Sequence, residues 1–247
     1  MELKRVGVVG HGHFGAFIVT LVKRFLPEVE VRVYSRRAEP DGGLFFSLEE
    51  VAQCDVVVLC GSIAGYEEQV ESIAPLLGAN SIVVDVATVK MHTRDIFRRH
   101  FADRQYVCCH PMFGAESYKK TEGDVEGYRI VVVEDTLENG LAAPVEQFLT
   151  ALGFVVVRMS ADEHDKYLAE TLFMTHYIGQ VMGAAGFGRT PIDTVSFTSL
   201  MNAVESVLQD GKLFMDVYNY NPYCEDAAVR FHDAQKLVLE GLLKKRI

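Results

Sequence analysis

Two short stretches of the sequence end strand-like runs with residues that could exchange protons or hold a polar ligand. The stretch CCHPMFGAES, residues 108–117, places His110 at the end of a strand, because Pro111 has no amide hydrogen with which to continue the ladder. The stretch VVDVATVK ends another strand with Thr88 and Lys90. An imidazole at such a strand end could accept a proton near neutral pH. The sequence equally allows a structural histidine that is hydrogen-bonded to a backbone carbonyl.

A glycine-rich turn near the start of the chain predicts a dinucleotide site. The stretch VGVVGHGHFGAFI has the pattern G-x-G-x-x-G between a strand and a helix. The first glycine allows the tight turn, the second lets a pyrophosphate approach the backbone, and the third lets helix and strand pack closely. The free amides and the positive dipole end of the helix favour the diphosphate. The residues that we expect to contact the cofactor here are Gly10, Gly12, His13, Phe14 and Gly15.

The end of the next predicted strand favours NADP over NAD. An NAD site usually places an acid there to bind the ribose 2′-hydroxyl. This chain instead has Ser35, Arg36 and Arg37. A hydroxyl and a guanidinium bind a 2′-phosphate, which an acid would repel. We expect Lys90 to be a further cofactor contact. The alternative for the two arginines is that they are solvated loop charges.

The elements around these residues predict a doubly wound α/β domain over residues 1–159. Apolar strands with helices between them are typical of a mostly parallel sheet that is covered on both faces. Ligands of such sheets bind beyond the carboxyl ends of the strands, where the glycine loop, Thr88 and His110 are expected to lie. The predicted strands are 5–10, 29–35, 55–61, 80–86, 106–110, 129–134 and 154–159, and the helical segments between them include 14–26, 66–77 and 137–152.

Residues 160–247 predict an all-α domain for substrate binding and dimerisation. The sequence SADE is a capping box in which Ser160 and Glu163 begin a helix. Helical spacing of apolar residues predicts helices at 161–185, 194–209 and 223–245. The helix at 161–185 is apolar on nearly all sides, which favours a homodimer in which a second copy covers it.

Composition limits the classes of partner. The 247 residues are 49% hydrophobic and 23% charged, with a formal net charge of -10, which is typical of a globular protein and disfavours nucleic acid and anionic membranes. The five cysteines include no C-x-x-C pair, which predicts free thiols in a reducing compartment. No leader or membrane span is visible, so we expect a cytoplasmic protein. Adjacent strand residues point to opposite faces, so we expect no metal site built from Cys108, Cys109, His110 and His176.

Several segments resemble prephenate and arogenate dehydrogenases, the TyrA family, and in particular the plant arogenate type. These segments are DVATVK, HPMFGAES, SADEHDKY and LFMTHYIGQVM. The similarity continues in the same order from the glycine loop to about residue 220. The pairing of an H-P-[MI]-x-G segment with a preceding D-x-x-[ST]-V-K segment is specific to this family among dinucleotide enzymes.

The resemblance implies an enzyme that converts L-arogenate to L-tyrosine by oxidative decarboxylation, with hydride transfer to NADP. It implies that His110 accepts the proton of the substrate C4 hydroxyl and that Thr88 contacts the same hydroxyl. It also places His176, with Thr175 beside it, in the substrate pocket. A histidine suits the role of base because its ordinary pKa is close to working pH.

Three positions bear on how far the resemblance extends. Ala115 replaces a proline of the plant type, and Leu172 stands where many relatives carry glutamine. The stretch AVESVLQDGKLFMDVYNYN lacks the arginine with which prephenate-type relatives bind the side-chain carboxylate. It contains Asp210, which matches an acid of arogenate-preferring plant enzymes and suits a substrate with an α-ammonium group. The alternative is that Asp210 caps the turn before Gly211.

Other functions stay open at this point. The chain could be a prephenate dehydrogenase that forms 4-hydroxyphenylpyruvate, or a non-catalytic regulatory protein that binds NADP. The group that binds the ring carboxylate is also open. The candidates by charge alone are Lys119, Lys120, Arg129 and Lys212, each equally consistent with a solvated surface residue.

Overall fold

The computed structural model describes residues 3–244, and the chain forms two compact units, with the division between His164 and Asp165. The first unit is built on one seven-stranded sheet in the order β2-β1-β3-β4-β5-β6-β7. Neighbouring strands are parallel except for β5 and β6. The strands are β1 (Arg5–Val9), β2 (Glu30–Tyr34), β3 (Val56–Leu59), β4 (Ile82–Asp85), β5 (Tyr106–Pro111), β6 (Arg129–Asp135) and β7 (Val155–Arg158). The predicted mostly parallel sheet is confirmed, and each predicted run corresponds to one strand.

The sheet is covered on both faces, which explains its valine-rich strands. Successive residues of one strand enter different apolar layers: Val57 and Cys108 belong to one layer, and Val58 and Cys109 belong to the other. The helices of this part of the chain are α1 (His13–Phe25), α2 (Leu48–Ala52), α3 (Tyr66–Ile73), α4 (Lys90–His100), α5 (Ala115–Lys120), α6 (Ala142–Ala151) and α7 (Ala161–Leu168). The doubly wound α/β prediction is therefore confirmed.

The crossover between β2 and β3 marks the expected ligand crevice of the sheet. Because β2 and β3 flank β1 on opposite sides, the chain leaves a gap beyond the carboxyl end of β1. Gln69 of α3 bridges this gap: its Nε2 donates to the carbonyl of Val9 at 3.1 Å, and its Oε1 accepts from the amide of Gly61 at 3.2 Å. The side chain thus pairs backbone groups at the ends of β1 and β3.

The ladder between β5 and β6 contains an irregularity close to His110. Cys108 pairs with Glu134, whereas the next residue, Cys109, pairs with Val132. Val133 is therefore an extra residue of β6, a bulge that shifts the register by one position. His110 pairs with Val131 in the shifted part of the ladder.

The second unit is all α, as predicted. A π-helical turn at Ala169–Phe173 follows α7, and the remaining helices are α8 (Met174–Ala184), α9 (Val195–Val207), α10 (Gly211–Tyr220) and α11 (Cys224–Lys244). Glycine lets α8 approach α9 closely, since a Cβ at Gly179 would lie 2.5 Å from Cγ2 of Val207. The end of the predicted last helix, residue 245, lies outside the described residues. Within residues 3–244, no helix is both long and apolar enough to cross a bilayer.

The predicted capping box lies at the predicted boundary between residues 159 and 160. Ser160 Oγ accepts from the amide of Glu163 at 3.1 Å, and the Glu163 carboxylate accepts from the amide of Ser160 at 3.0 Å. These bonds satisfy amides at the start of α7. The compact units divide a few residues later, within α7. The separate cofactor and substrate roles of the two halves stay a prediction.

Candidate active site

The three glycines of the first loop each have a different geometric role. Gly10 has φ +104°, a conformation that favours glycine, and its amide donates to the carbonyl of Tyr34 at 2.9 Å. A Cβ at Gly15 would lie 2.0 Å from the carbonyl oxygen of Gly10, so no side chain fits between the helix and the turn. A Cβ at Gly12 would meet no atom within 4 Å. The space beside Gly12 is therefore open to a ligand, while Gly10 and Gly15 form the turn.

The first turn of α1 has the features of an anion site. Gly12 is the N-cap and offers no side chain to the helix, and the first turn contains no acid. The amides at the start of a helix have no partner within it, so those of His13, Phe14 and Gly15 are available to a diphosphate. The side chain of His13 is exposed and that of Phe14 is half-buried. This cradle fits the diphosphate of a dinucleotide.

The loop after β2 contains two arginines, and the carboxylate of Asp41 in the same loop is hydrogen-bonded. Ser35 Oγ accepts from the amide of Arg37 at 3.2 Å, which orders the turn. The guanidinium of Arg36 is exposed and lies 3.8 Å from the carboxylate of Glu68. Asp41 accepts hydrogen bonds from three amides of its own loop, and these bonds lower the pKa of its carboxyl. The Asp41 carboxylate is therefore committed to its own loop.

A buried charge network joins the ends of β4 and β5. Asp85 is fully buried, and its carboxylate accepts from Lys90 Nζ at 2.6 Å, from Thr93 Oγ1 at 2.6 Å and from the Tyr66 hydroxyl at 2.7 Å. Lys90 is also fully buried, and its Nζ donates to the carbonyl of Cys109 at 2.6 Å. The ammonium therefore ties the end of β4 to the residue that precedes His110 in β5.

This geometry contradicts the prediction that Lys90 contacts the cofactor. An ammonium that is 0% exposed and paired inside the protein cannot reach a surface ligand. Thr88 lies in the turn between β4 and α4 and is half-buried. Because Asp85 pairs with Cys108 across the two strands, Thr88 and His110 follow at the same edge of the sheet. Lys90 is thus a residue that positions this edge.

His110 is more deeply placed than predicted. The strand continues through Pro111, and the His110 side chain is 5% exposed. Its Nδ1 lies 2.9 Å from Nε2 of His164, a residue near the start of α7 that is itself 3% exposed. Burial, and after it His164 and Lys90, lower the pKa of His110 well below its ordinary value. The ring is therefore neutral near pH 7, as a general base requires.

The hydrogen bond to His164 occupies one of the two ring nitrogens of His110. Nδ1 of His110 lies 2.9 Å from Nε2 of His164. Nε2 of His110 is therefore the ring nitrogen that is left for a substrate hydroxyl.

The loop after His110 is fixed to the dinucleotide helix by aromatic contacts. The ring of Phe113 meets Phe17 of α1 edge-on at 5.9 Å and stacks on Tyr128 at 4.9 Å. Ala115 is the first residue of α5, a position that also accepts proline. The replacement of the plant-type proline by Ala115 is therefore compatible with the same loop.

The second unit contains buried polar atoms without partners. Nδ1 of His176 and Nε2 of Gln180 lie one helical turn apart on α8, and neither has a hydrogen-bond partner in residues 3–244. His176 is 6% exposed, and burial lowers its pKa although Asp210 acts in the opposite direction. Unpaired buried polar atoms are costly unless a ligand or water satisfies them.

The other predicted residues of the second unit differ in availability. Thr175 is exposed, but its hydroxyl donates to the carbonyl of Thr171 at 3.0 Å. Asp210 is the exposed N-cap of α10, and its side chain makes no capping hydrogen bond. Its carboxylate is therefore not used to cap the turn before Gly211. Leu172 is half-buried in the π-helical turn.

No metal site is supported by the cysteines. Cys108 and Cys109 enter opposite apolar layers, as their adjacent positions predicted. Within residues 3–244, one group of carboxylates and imidazole lies close enough to hold an ion: Glu67, Glu71 and His100. Arg99 forms an ion pair with Glu67, which places a cation where the ion would bind.

Two residues of this region were not identified from the sequence. His164 is part of the segment SADEHDKY, directly after the capping box, and its contact with His110 joins residues 54 positions apart. Gln180 follows His176 by one helical turn in LFMTHYIGQVM. The i, i+4 spacing on an apolar helix was the signal that could have identified Gln180.

Comparison with known proteins gives consistent matches. Residues 43–139 match the family model of the prephenate dehydrogenase nucleotide-binding domain, and residues 181–247 match the model of the TYRAAT1-like C-terminal domain. The chain is 31% identical over 245 residues to arogenate dehydrogenase 1, chloroplastic, of Arabidopsis thaliana, with 93% of this chain and 38% of the relative covered. It is 31% identical over 234 residues to arogenate dehydrogenase 2, chloroplastic, of the same plant, with 88% and 64% covered. The chain thus spans less than two thirds of either relative.

Solved structures share the fold at lower sequence identity. Prephenate dehydrogenase from A. aeolicus, in complex with hydroxyphenyl propionate and NAD+, matches with a TM-score of 0.73 at 17% identity, over 99% of this chain and 92% of that one. Synechocystis arogenate dehydrogenase matches with a TM-score of 0.65 at 17% identity, over 97% and 91%. The sequence matches and the shared fold agree: this chain is similar to prephenate and arogenate dehydrogenases.

Proposed function

We propose that the protein converts L-arogenate to L-tyrosine by oxidative decarboxylation and transfers the hydride to NADP. The observation that carries the proposal is His110: a neutral imidazole whose Nδ1, and not its Nε2, is paired with His164, at the same sheet edge as the glycine loop. The similarity to two arogenate dehydrogenases of Arabidopsis thaliana supports the choice of substrate.

The chemistry needs one base and a site that holds the ring in place. Bound NADP would take up the hydride from C4 of the cyclohexadienol. Nε2 of His110 accepts the proton of the C4 hydroxyl, and Thr88 at the same sheet edge contacts that hydroxyl. As the C4 carbon becomes electron-poor, the bond between C1 and its carboxylate breaks, carbon dioxide leaves, and the ring becomes aromatic. A buried neutral histidine suits the proton transfer because its lone pair is free at working pH.

The direct test is absorbance at 340 nm with each pairing of arogenate or prephenate with NADP or NAD. We expect arogenate with NADP to give the highest rate. His110→Asn should lower turnover roughly a hundredfold or more while NADP still binds. A wild-type protein without turnover in all four pairings, although it binds NADP, would instead support the non-catalytic function.

NADP is favoured by the exposed guanidinium groups beyond β2. Arg36→Asp replaces a cation that can pair with a 2′-phosphate by an anion that repels it, so we expect kcat/KM with NADP to fall at least about tenfold. Arg99→Asp is the matched control, since Arg99 is likewise an exposed arginine that pairs with a glutamate of α3. An unchanged NADP preference in Arg36→Asp would contradict the cofactor assignment.

We assign substrate binding in the second unit to His176, Gln180 and Asp210. The unpaired nitrogens of His176 and Gln180 can bind a carboxylate or hydroxyl, and the uncommitted Asp210 carboxylate can pair with an α-ammonium group. Asp210→Asn should therefore lower the ratio of arogenate to prephenate activity. The same ratio in wild type and variant would remove Asp210 from substrate selection.

The apolar surface of the second unit supports a homodimer. Leu237, Leu242 and Leu243 of α11 are 70%, 63% and 55% exposed, and Ile192 before α9 is 87% exposed. Monomeric proteins rarely expose so many large apolar side chains to water. A second copy of the same chain is always present in solution and could cover this surface. Sedimentation at micromolar concentration should show a dimer, and a strict monomer would contradict it. The cytoplasmic location stays a prediction, and the two plant relatives are chloroplastic by name.

A further inference from the structure

The contact between His110 and His164 requires one defined arrangement of protons. Nδ1 of His110 and Nε2 of His164 are 2.9 Å apart, and the ring centroids are 5.1 Å apart at an interplanar angle of 68°. Two neutral imidazoles can make this bond only if one nitrogen carries the hydrogen and the other offers its lone pair. Because each neutral ring has one N–H, the direction of this bond decides which nitrogen of His110 is free to accept a proton.

The proposed reaction needs one of the two directions. If His164 donated, the single N–H of neutral His110 would lie on Nε2, and this nitrogen could not accept a proton. If His110 donates through Nδ1–H, the lone pair lies on Nε2. We propose that His164 is a positioning residue that accepts the Nδ1–H hydrogen bond of His110 and thereby holds the lone pair of Nε2 towards the substrate hydroxyl. This inference rests on the proposed role of His110 as the base.

The surroundings of the pair hold His164 in place. The capping box of Ser160 and Glu163 fixes the first turn of α7, and the amide of His164 donates to the carbonyl of Ser160 at 3.0 Å. His164 is 3% exposed, so water does not compete for its Nε2. The same bonds that begin the helix therefore fix the backbone that carries the His164 ring.

The charged and titratable groups that act on His110 come from two elements. They are His164 of α7 and Lys90 of α4, and both disfavour a positive charge on the His110 ring. The Lys90 ammonium is paired with Asp85, which lessens its effect. His164 therefore offers a hydrogen-bond acceptor to the base without raising the pKa of His110, whereas a carboxylate at the same place would raise it.

The first test reads the hydrogen position directly in the resting protein. Histidine-selective 15N labelling distinguishes Nδ1–H from Nε2–H rings, and the His110 signals are assigned from their loss in His110→Asn. We expect His110 to be the Nδ1–H form at pH 7.5. An Nε2–H form would overturn the proposal. Because this measurement needs no turnover, an inactive wild-type protein would refute the proposed function and leave this result standing.

The second test changes the acceptor. In His164→Glu the carboxylate still accepts from Nδ1–H but favours the charged ring, so the acid limb of kcat against pH should move up by about one pH unit or more. In His164→Leu the acceptor is lost, and kcat should fall at least about tenfold at every pH while KM is unchanged. NADP binding would show that His164→Leu is folded. If this folded variant kept the wild-type kcat, the proposal would be overturned. His100→Leu, at a half-buried histidine elsewhere in the first unit, is the matched control.

Discussion

Removal of the buried ammonium at Lys90 should strongly destabilise the first unit. In Lys90→Met an apolar chain of similar length replaces the lysine, so little volume is lost. The Asp85 carboxylate then keeps its bonds from Thr93 and Tyr66 but has no opposite charge, and the Cys109 carbonyl loses the donor at 2.6 Å. The perturbation therefore isolates an uncompensated negative charge inside the protein.

The magnitude follows from the burial of both partners. Breaking a buried ion pair by removing one partner typically costs about 3–5 kcal/mol, because the remaining charge stays out of water. Both Asp85 and Lys90 are 0% exposed, so solvent cannot relieve the remaining charge. We expect Lys90→Met to lose about 3–5 kcal/mol of unfolding free energy, a large part of the roughly 5–15 kcal/mol of a typical domain.

Urea unfolding followed by far-ultraviolet circular dichroism measures this loss, since the chain has no tryptophan to report by fluorescence. The double variant Asp85→Asn/Lys90→Met also removes the unpaired negative charge of Asp85. Its loss of unfolding free energy should be at least about 1 kcal/mol smaller than the sum of the losses in the two single variants. Arg99→Met, which breaks an exposed pair with Glu67, is the matched control and should leave the unfolding midpoint unchanged. A loss below about 1 kcal/mol in Lys90→Met, or strict additivity in the cycle, would refute the reasoning.

Three further outcomes are expected. Gly12→Ala should weaken NADP binding and leave the unfolding midpoint unchanged, whereas Gly15→Ala should lower the midpoint, because its methyl group would lie 2.0 Å from the Gly10 carbonyl oxygen; equal midpoints for the two variants would contradict this contact. Gln180→Leu should raise KM for arogenate roughly tenfold if its amide binds substrate, and an unchanged KM would exclude it. Burial raises the pKa of the Cys109 thiol to about 12, so a disulfide reagent should label it only after unfolding; rapid labelling of the native protein would show that the thiol is accessible.

Much of the fold could be predicted because its signals are local. A parallel sheet buried on both faces needs nearly continuous apolar runs, and β1 with Val6, Val8 and Val9 is one of them. The glycine loop and the Ser160 capping box are also local patterns, and both have the predicted geometry. The helix α10 was not predicted, because it begins at Gly211 and glycine is a poor helix former.

The site could be predicted only in part because its contacts join distant residues. Lys90 follows a strand end, as a cofactor ligand would, and only packing shows that its ammonium is enclosed with Asp85. The partner of His110 lies 54 positions away, and no local pattern encodes that contact. His176 was identified through the family resemblance, whereas the unpaired Nε2 of Gln180 became visible only once its surroundings were known.

The extra residue Val133 also determines which segments of β5 and β6 could be exchanged with those of a relative in a chimaeric protein. A chimaera that received β6 without the extra residue would keep one half of the ladder aligned and turn the side chains of the other half to the opposite face. The strand β5 pairs with the bulged strand β6 on one side. On its other side, the Lys90 ammonium ties it to Asp85 at the end of β4. The smallest segment that can be transplanted here is therefore the strand pair, and recombination within it would misplace the imidazole even if every catalytic residue were retained.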